Sequence, residues 1–211
     1  MMKATSVKSS EADYRSGNLD KYRSKNPLKR ILTERLERRI EQRSSPYSRI
    51  LDAGAGEGFT AARLARGEDR QVTLVDLSEE ALRYAAALCP ENCIFVRSDV
   101  THLPFADESF ELVVCSEVLE HLPDPVAGLR ELLRVSSGAV LLTVPWEPWF
   151  RLGNVLSLKN LSRLGDPPDH CNHWTRSGFC RWIAENARGW SAESGVSFPW
   201  SMVFLRKDPR P

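Results

Sequence analysis

At 211 residues, with 42% hydrophobic and 27% charged residues, the chain has ordinary globular usage, which excludes global disorder and a fibrous class and leaves room for one α/β domain with modest additions. The net charge of +1 is split: residues 1–50 hold 13 Lys and Arg against 6 Asp and Glu (+7), leaving 16 against 22 (−6) for the rest. A basic segment can meet nucleic acid or an anionic membrane, yet solvated helix faces produce the same asymmetry more often, so a nucleic-acid partner is not expected.

Residues 1–26 are polar, with Gly17 and Asn18 but no apolar period, and read as a mobile or ligand-ordered arm. Pro27 then opens a helix in which Leu28, Ile31, Leu32, Leu36 and Ile40 recur at helical spacing, a one-sided stripe that needs a partner surface. The body alternates short apolar runs (SRILDA, QVTLVDL, NCIFVRSD, FELVVCSE, GAVLLTVP) with amphipathic segments beginning near Glu57, Ser78 and Asp124. That is a βαβα order, and nearly continuous apolar strands predict a doubly wound, mostly parallel sheet with helices on both faces.

After Pro145 comes a Trp-rich stretch, read as an insertion over the strand ends at 146–174, followed by a helix from Thr175 to about Asn186. GWSAESGVSF and WSMVFLRK fit two closing strands with Pro199 at the turn of an antiparallel hairpin. The expected division is therefore an arm and helix at 1–46 and one domain at 47–211. No run of about 18 apolar residues is present, and the start lacks the apolar stretch of a signal peptide, so no transmembrane segment and a cytoplasmic location are expected. The cysteines at 89, 93, 115, 171 and 180 form no CxxC pair, which argues for reduced thiols.

Strand one ends in Leu51-Asp52-Ala53-Gly54-Ala55-Gly56-Glu57-Gly58 and runs into a helix, where glycines let a ligand approach the backbone. Asp52 and Glu57 flank the place where a dinucleotide would put its pyrophosphate, and their charge would repel it. A nicotinamide oxidoreductase is disfavoured on that ground and on the GxGxG spacing. A cationic, phosphate-free ligand such as S-adenosylmethionine suits the loop, with Asp52 facing its methionine end. Asp76 ends strand two, where an acid can accept from ribose hydroxyls. Asp99 follows strand three on the same sheet edge, able to bond an adenine amine.

With those residues in view, LDAGAGEG, LVDLS, RSDVTHLPFADESFELVVCSEVLEHLPDP and LLTVP resemble the successive motifs of the class I, Rossmann-like S-adenosylmethionine-dependent methyltransferases. The resemblance covers roughly residues 48–145. It implies a seven-stranded sheet of order 3-2-1-4-5-7-6, last strand antiparallel. It also implies S-adenosylmethionine held by Gly54, Gly56, Asp76 and Asp99, with Asp52, Leu77, Val100 and Ser116 beside them.

Methyl transfer asks the protein to position a nucleophile and, for a hydroxyl or protonated amine, to remove a proton. His121, in SEVLEHLPDP after strand four, is the first candidate base, with Glu117 and Glu120 three apart and able to share a helical face. Glu120 and His121 could equally hold the loop and helix start together. The Glu117, Glu120, His121 run, with a later histidine, also resembles the metal-site pattern of some class I enzymes acting on catechols or RNA ends. In the insertion, Asp169, His170, Cys171 and His173 would hang over the transfer site, where His170 or His173 contacts substrate; as a zinc cluster they lack a CxxC pair.

Trp146, Trp149 and Phe150 suit an apolar acceptor pocket or a plain core. The apolar segment from Trp149 to Leu164, with Arg151, Lys159 and Arg163, has the composition of a membrane-surface element without being sharply one-sided. Tyr14 and Tyr22 of the arm could reach the pocket. The expected activity is methyl transfer to an oxygen or nitrogen of a small molecule, the alternatives being an RNA or protein acceptor or a cofactor-binding module without turnover.

Overall fold

The computed structural model describes residues 17–67, 69–157 and 160–209, so that Tyr14 and Lys159 lie outside the described residues. Two helices, α1 (Gly17–Tyr22) and α2 (Pro27–Ser44), precede the sheet. The Asn26 side chain caps α2 by accepting from the Leu28 and Lys29 N–H groups, and Pro27 sits in the first turn, where its missing N–H costs nothing. Only part of the apolar stripe finds its partner surface: Leu36 and Ile40 are fully buried, whereas Leu28 and Ile31 are 62% exposed. The helix outruns the sheet face that it covers.

The remaining elements are β1 (Arg49–Ala53), α3 (Phe59–Leu64), β2 (Gln71–Asp76), α4 (Glu79–Leu88), β3 (Cys93–Arg97), β4 (Phe110–Ser116) and α5 (Pro125–Val135). They continue with β5 (Ser136–Pro145), α6 (Trp149–Leu156), α7 (Arg176–Asn186), β6 (Trp190–Ser197) and β7 (Trp200–Lys207). The seven strands form one sheet in the order β3-β2-β1-β4-β5-β7-β6. β1 to β5 pair in parallel, and β7 runs antiparallel to β5 and β6, as expected.

Alternation along the strands feeds two cores. Leu51, Ala53, Val113 and Cys115 face α5 (Leu129, Leu132) and α7 (Phe179, Ile183). Ile50, Leu112 and Val114 face α2 (Leu36, Ile40), α3 (Ala61, Leu64) and α4 (Leu82, Ala85). The strand order reverses between β1 and β4, and in such sheets ligands bind in the crevice at the carboxyl ends of the strands flanking that reversal.

Three local features depart from the sequence reading. Residues 17–22 of the arm are helical. Glu117 and Glu120 do not share a helical face: Glu117 has a positive φ of 58°, and only a 3-10 turn, Leu119–His121, follows it before Pro123. Finally, the exposed apolar residues of α6, namely Trp149, Leu152 and Leu156, recur at i, i+3 and i+7, so this helix is more one-sided than its sequence suggests. No described helix is long and apolar enough to cross a membrane.

Candidate active site

The glycine loop leaves β1 at the sheet reversal and is strung on its neighbour, the Gly54 and Ala55 N–H groups donating to the Val75 carbonyl at 2.8 and 2.9 Å. Gly54, Gly56 and Gly58 all have positive φ, the region where a side chain is strained. A Cβ on Gly54 would meet Val118 Cγ2 at 2.3 Å, so the loop can lie against the segment after β4 only with glycine there. At Gly58 the added atom would meet Ala85 and Cys89 of the α4 region at 2.8 and 2.9 Å; that glycine serves helix packing.

Asp76, at the end of β2, accepts from the Gly56 N–H through one oxygen (2.8 Å) and from the Ser78 N–H through the other (2.8 Å). Each oxygen keeps a lone pair for a ligand hydroxyl. Asp99 stands at the neighbouring strand end and accepts from the Thr101 N–H at 2.8 Å. Val100 beside it is buried in the core on the α5 side, and Leu77 is 59% exposed.

Asp52, Gly54 and Ser116 come together with Ala55, Lys21, Tyr22, Phe59, Thr60 and Glu117 around one small cavity. The Asp52 carboxyl is buried, and its pKa is raised to about 8, first by that burial and then by the charges of Glu37 and Asp76, against the Ala61 backbone N–H. Ser116 is fixed by a 2.7 Å hydrogen bond with the Thr143 hydroxyl. Glu117, turned by its positive φ, forms an ion pair with Lys21 of α1. The Tyr22 hydroxyl donates to Glu37, and its ring stacks on Phe59 at 4.3 Å between centroids. Tyr22 thus lines the cavity at the glycine loop, which includes no residue of the 146–174 insertion. Lys21 and Phe59 went unnoticed in the sequence, because neither belongs to an apolar period or a motif.

The histidines gather on the other side of the turn after β4. The Cys171 and Asn172 N–H groups donate to the Glu120 carbonyl at 2.7 and 3.0 Å, and Asn172 Nδ2 donates to the Leu119 and Leu122 carbonyls at 3.2 and 2.7 Å. These bonds clamp the insertion to the 3-10 turn. His121 and His170 then meet edge to face at 4.9 Å, and His170 lies 6.2 Å from His173 between ring centroids. His121 Nδ1 lies 3.0 Å from the Asp169 carbonyl, while His173 Nε2 lies 2.6 Å from an Asp166 carboxylate oxygen. Burial and the neighbouring His121 lower the pKa of His170, which keeps it neutral.

Glu120 is fully buried, and its carboxyl pKa is pushed well up by burial and then by Glu117. Of the expected metal ligands, Glu117 is diverted to Lys21, and Cys171 is exposed and stands outside the groups of His, Asp and Glu able to share an ion. Of the aromatic residues, Phe150 stacks on His170 at 5.9 Å, whereas Trp149 is 45% exposed and packs edge-on against Trp146.

Residues 51–142 match a family described as "Methyltransferase domain". An uncharacterized methyltransferase of Schizosaccharomyces pombe is 39% identical over 99 residues, 42% of this chain and 36% of that protein. The 27-O-demethylrifamycin SV methyltransferase of Amycolatopsis mediterranei is 34% identical over 109 residues, 49% of this chain and 39% of that protein. The match thus spans less than half the length of either relative. The magnesium protoporphyrin IX methyltransferase of Synechocystis PCC 6803, solved with bound SAH, shares the fold with a TM-score of 0.66 at 16% identity, over 92% of this chain and 95% of that one. The strand order, the glycine loop and the family match agree: residues 51–142 are similar to the methyltransferase domain family, and the fold is that of the class I, S-adenosylmethionine-dependent methyltransferases.

Proposed function

We propose that the protein transfers the methyl group of S-adenosylmethionine to an oxygen or nitrogen of a small-molecule acceptor. The observation that carries this reading is the glycine loop at the sheet reversal, strapped to Asp76 through the Gly56 N–H and backed by the buried Asp52. In this reading Asp52, Gly54, Gly56 and Ser116 receive the methionine end. Asp76 accepts from the ribose, Leu77 and Val100 sandwich the adenine, and Asp99 accepts from its amine. An acidic strand end stabilises a ligand that brings an ammonium and a sulfonium and no phosphate.

The acceptor side is formed by the insertion at 146–174, acting as a lid, with His121, His170 and His173 as the catalytic group. Proton removal falls to this cluster, where Asp166 orients His173 through Nε2 and leaves Nδ1 to accept a proton. A small-molecule acceptor is supported by the rifamycin methyltransferase relative. The five unbridged cysteines fit the expected cytoplasmic setting.

Calorimetric titration of S-adenosylmethionine and NADH into the protein and its Asp76→Ala variant tests the cofactor. Heat from S-adenosylmethionine alone, lost in the variant, is expected, and binding of neither ligand would sink the proposal. Transfer of a labelled methyl group to panels of hydroxyl and amine acceptors then tests the activity, and binding without any transfer would leave a cofactor-binding module.

A further inference from the structure

Among the described acids, Glu120 alone has no exposed surface at all. Its side chain is fully buried, and neither carboxylate oxygen accepts a well-formed hydrogen bond from a described residue. A buried carboxylate without a partner is costly, and it persists where something compensates it. Two imidazoles lie within reach of it, beside the charges of Glu117, Lys21 and Asp169. Glu120, His121 and His170 each offer one ligand atom, and the three atoms lie within 4.8 Å of one another.

Their orientation is already fixed from outside. His121 is bound through Nδ1, to the Asp169 carbonyl at 3.0 Å and to its carboxylate at 3.3 Å, which leaves Nε2 as the nitrogen with a lone pair to give. A histidine whose far nitrogen donates to a carbonyl or carboxylate is the usual support of a metal ligand. His170 is held between the edge of the His121 ring and the face of Phe150. The loop that carries it is bolted to the Glu120 carbonyl by the Cys171 and Asn172 N–H groups. The neighbouring combination of Asp166, His170 and His173 is a poorer claimant, because Asp166 and His173 already satisfy each other at 2.6 Å.

We infer that Glu120, His121 and His170 form a binding site for a divalent transition-metal ion of the zinc class, joining the turn after β4 to the lid. Two imidazole nitrogens and one carboxylate oxygen suit Zn2+ or Co2+ better than Mg2+, which demands an octahedron of oxygens. Metal–ligand distances of about 2.0–2.2 Å put the ligand atoms of a tetrahedron roughly 3.4 Å apart, so the site closes when the side chains draw in by roughly 1 Å. The ion leaves a fourth position for water or for an acceptor oxygen, and His173 stays outside the triplet as the proton acceptor. That last role rests on the methyl-transfer reading. Binding of the ion does not.

The test therefore uses neither cofactor nor acceptor. Chelator-stripped, full-length protein is titrated with Zn2+ and, separately, with Co2+, whose visible absorption reports a four-coordinate site; Mg2+ serves as the comparison. One equivalent of Zn2+ or Co2+ is expected to bind, with affinity reduced about 100-fold in Glu120→Gln and in His170→Ala. Glu120→Gln preserves volume, so circular dichroism on that variant separates a lost ligand from a lost fold. Cys171→Ser is expected to bind like the parent. Absence of stoichiometric binding, equal affinity in the two ligand variants, or loss of the ion in Cys171→Ser would each overturn the assignment.

Discussion

The Asp76 carboxylate accepts the Gly56 N–H at 2.8 Å, a bond that ties the tip of β2 to the middle of the glycine loop 20 residues earlier in the chain. One side chain thus fixes the loop from outside and offers its remaining lone pairs to a ligand. In Asp76→Ala both contributions vanish. With charge-assisted hydrogen bonds worth about 1.5–3 kcal/mol, S-adenosylmethionine affinity is expected to fall by about 10- to 100-fold in calorimetry, with circular dichroism unchanged. Unaltered affinity would remove Asp76 from the cofactor site.

Gly54 carries the second prediction. Alanine there combines a φ of +76° with a Cβ 2.3 Å from Val118 Cγ2, so the substitution has to push the segment after β4 away from the loop. Gly54→Ala is expected to lower stability by about 1–3 kcal/mol in urea titration and to abolish cofactor binding. Gly54→Ala with Val118→Ala, which removes the clashing methyls, should regain part of the stability.

Asp52 ties both stability and ligand affinity to pH. Its folded-state pKa of about 8 lies above its ordinary value of 3.8, so the unfolded chain releases the proton first. The contribution of this group to stability is complete below 3.8 and is lost as pH rises through about 8. The melting temperature of the ligand-free protein should therefore fall more steeply from about pH 5 to about pH 8 than that of Asp52→Asn. A cationic ligand favours the ionised form and expels the proton. S-adenosylmethionine affinity should consequently climb by up to about tenfold per pH unit below 8 and then flatten, and a flat profile throughout would contradict contact with Asp52.

Asn172 is the bolt between lid and turn, donating through its side chain to the Leu119 and Leu122 carbonyls. Asn172→Ala takes that donor from the Leu122 carbonyl, leaves the Leu119 carbonyl only the Leu122 N–H, and loosens the histidine loop, which keeps its backbone bonds to Glu120. A loss of about 1–3 kcal/mol in stability is expected, together with a drop in kcat that exceeds any change in cofactor affinity. An equal loss of both would mean that the lid supports the cofactor side as well.

The cofactor side was legible in the sequence because each of its parts is local: a glycine loop, then acids one strand further on, all delivered to the same edge by parallel strands. The strand order itself came with the family resemblance. What escaped was long-range. Lys21 meets Glu117 across 96 positions of sequence, and nothing in its surroundings announces that contact. The Glu117 and Glu120 spacing suggested one helical face, but the left-handed backbone at Glu117 and the short 3-10 turn separate the two carboxylates, sending one to a lysine and the other to the histidines. The first turn of the α2 stripe, Leu28 and Ile31, lies uncovered for the opposite reason: periodicity tells which face is apolar, and says nothing of where the surface beneath it stops.

The cavity left between α1 and the glycine loop measures about 20 Å³, the room of a single water, whereas ligand pockets run to several hundred. In the proposed site the methionine end of the cofactor lies against Asp52, Gly54 and Ser116 of this cavity, so that end can settle only while α1 is lifted. That makes association a two-step event: as cofactor concentration rises, the observed rate should stop growing and settle at the frequency with which a six-residue helix lets go of Glu117 and Phe59. The same helix would then slow departure, so that residence time and arrival rate are governed by one short segment near the start of the chain.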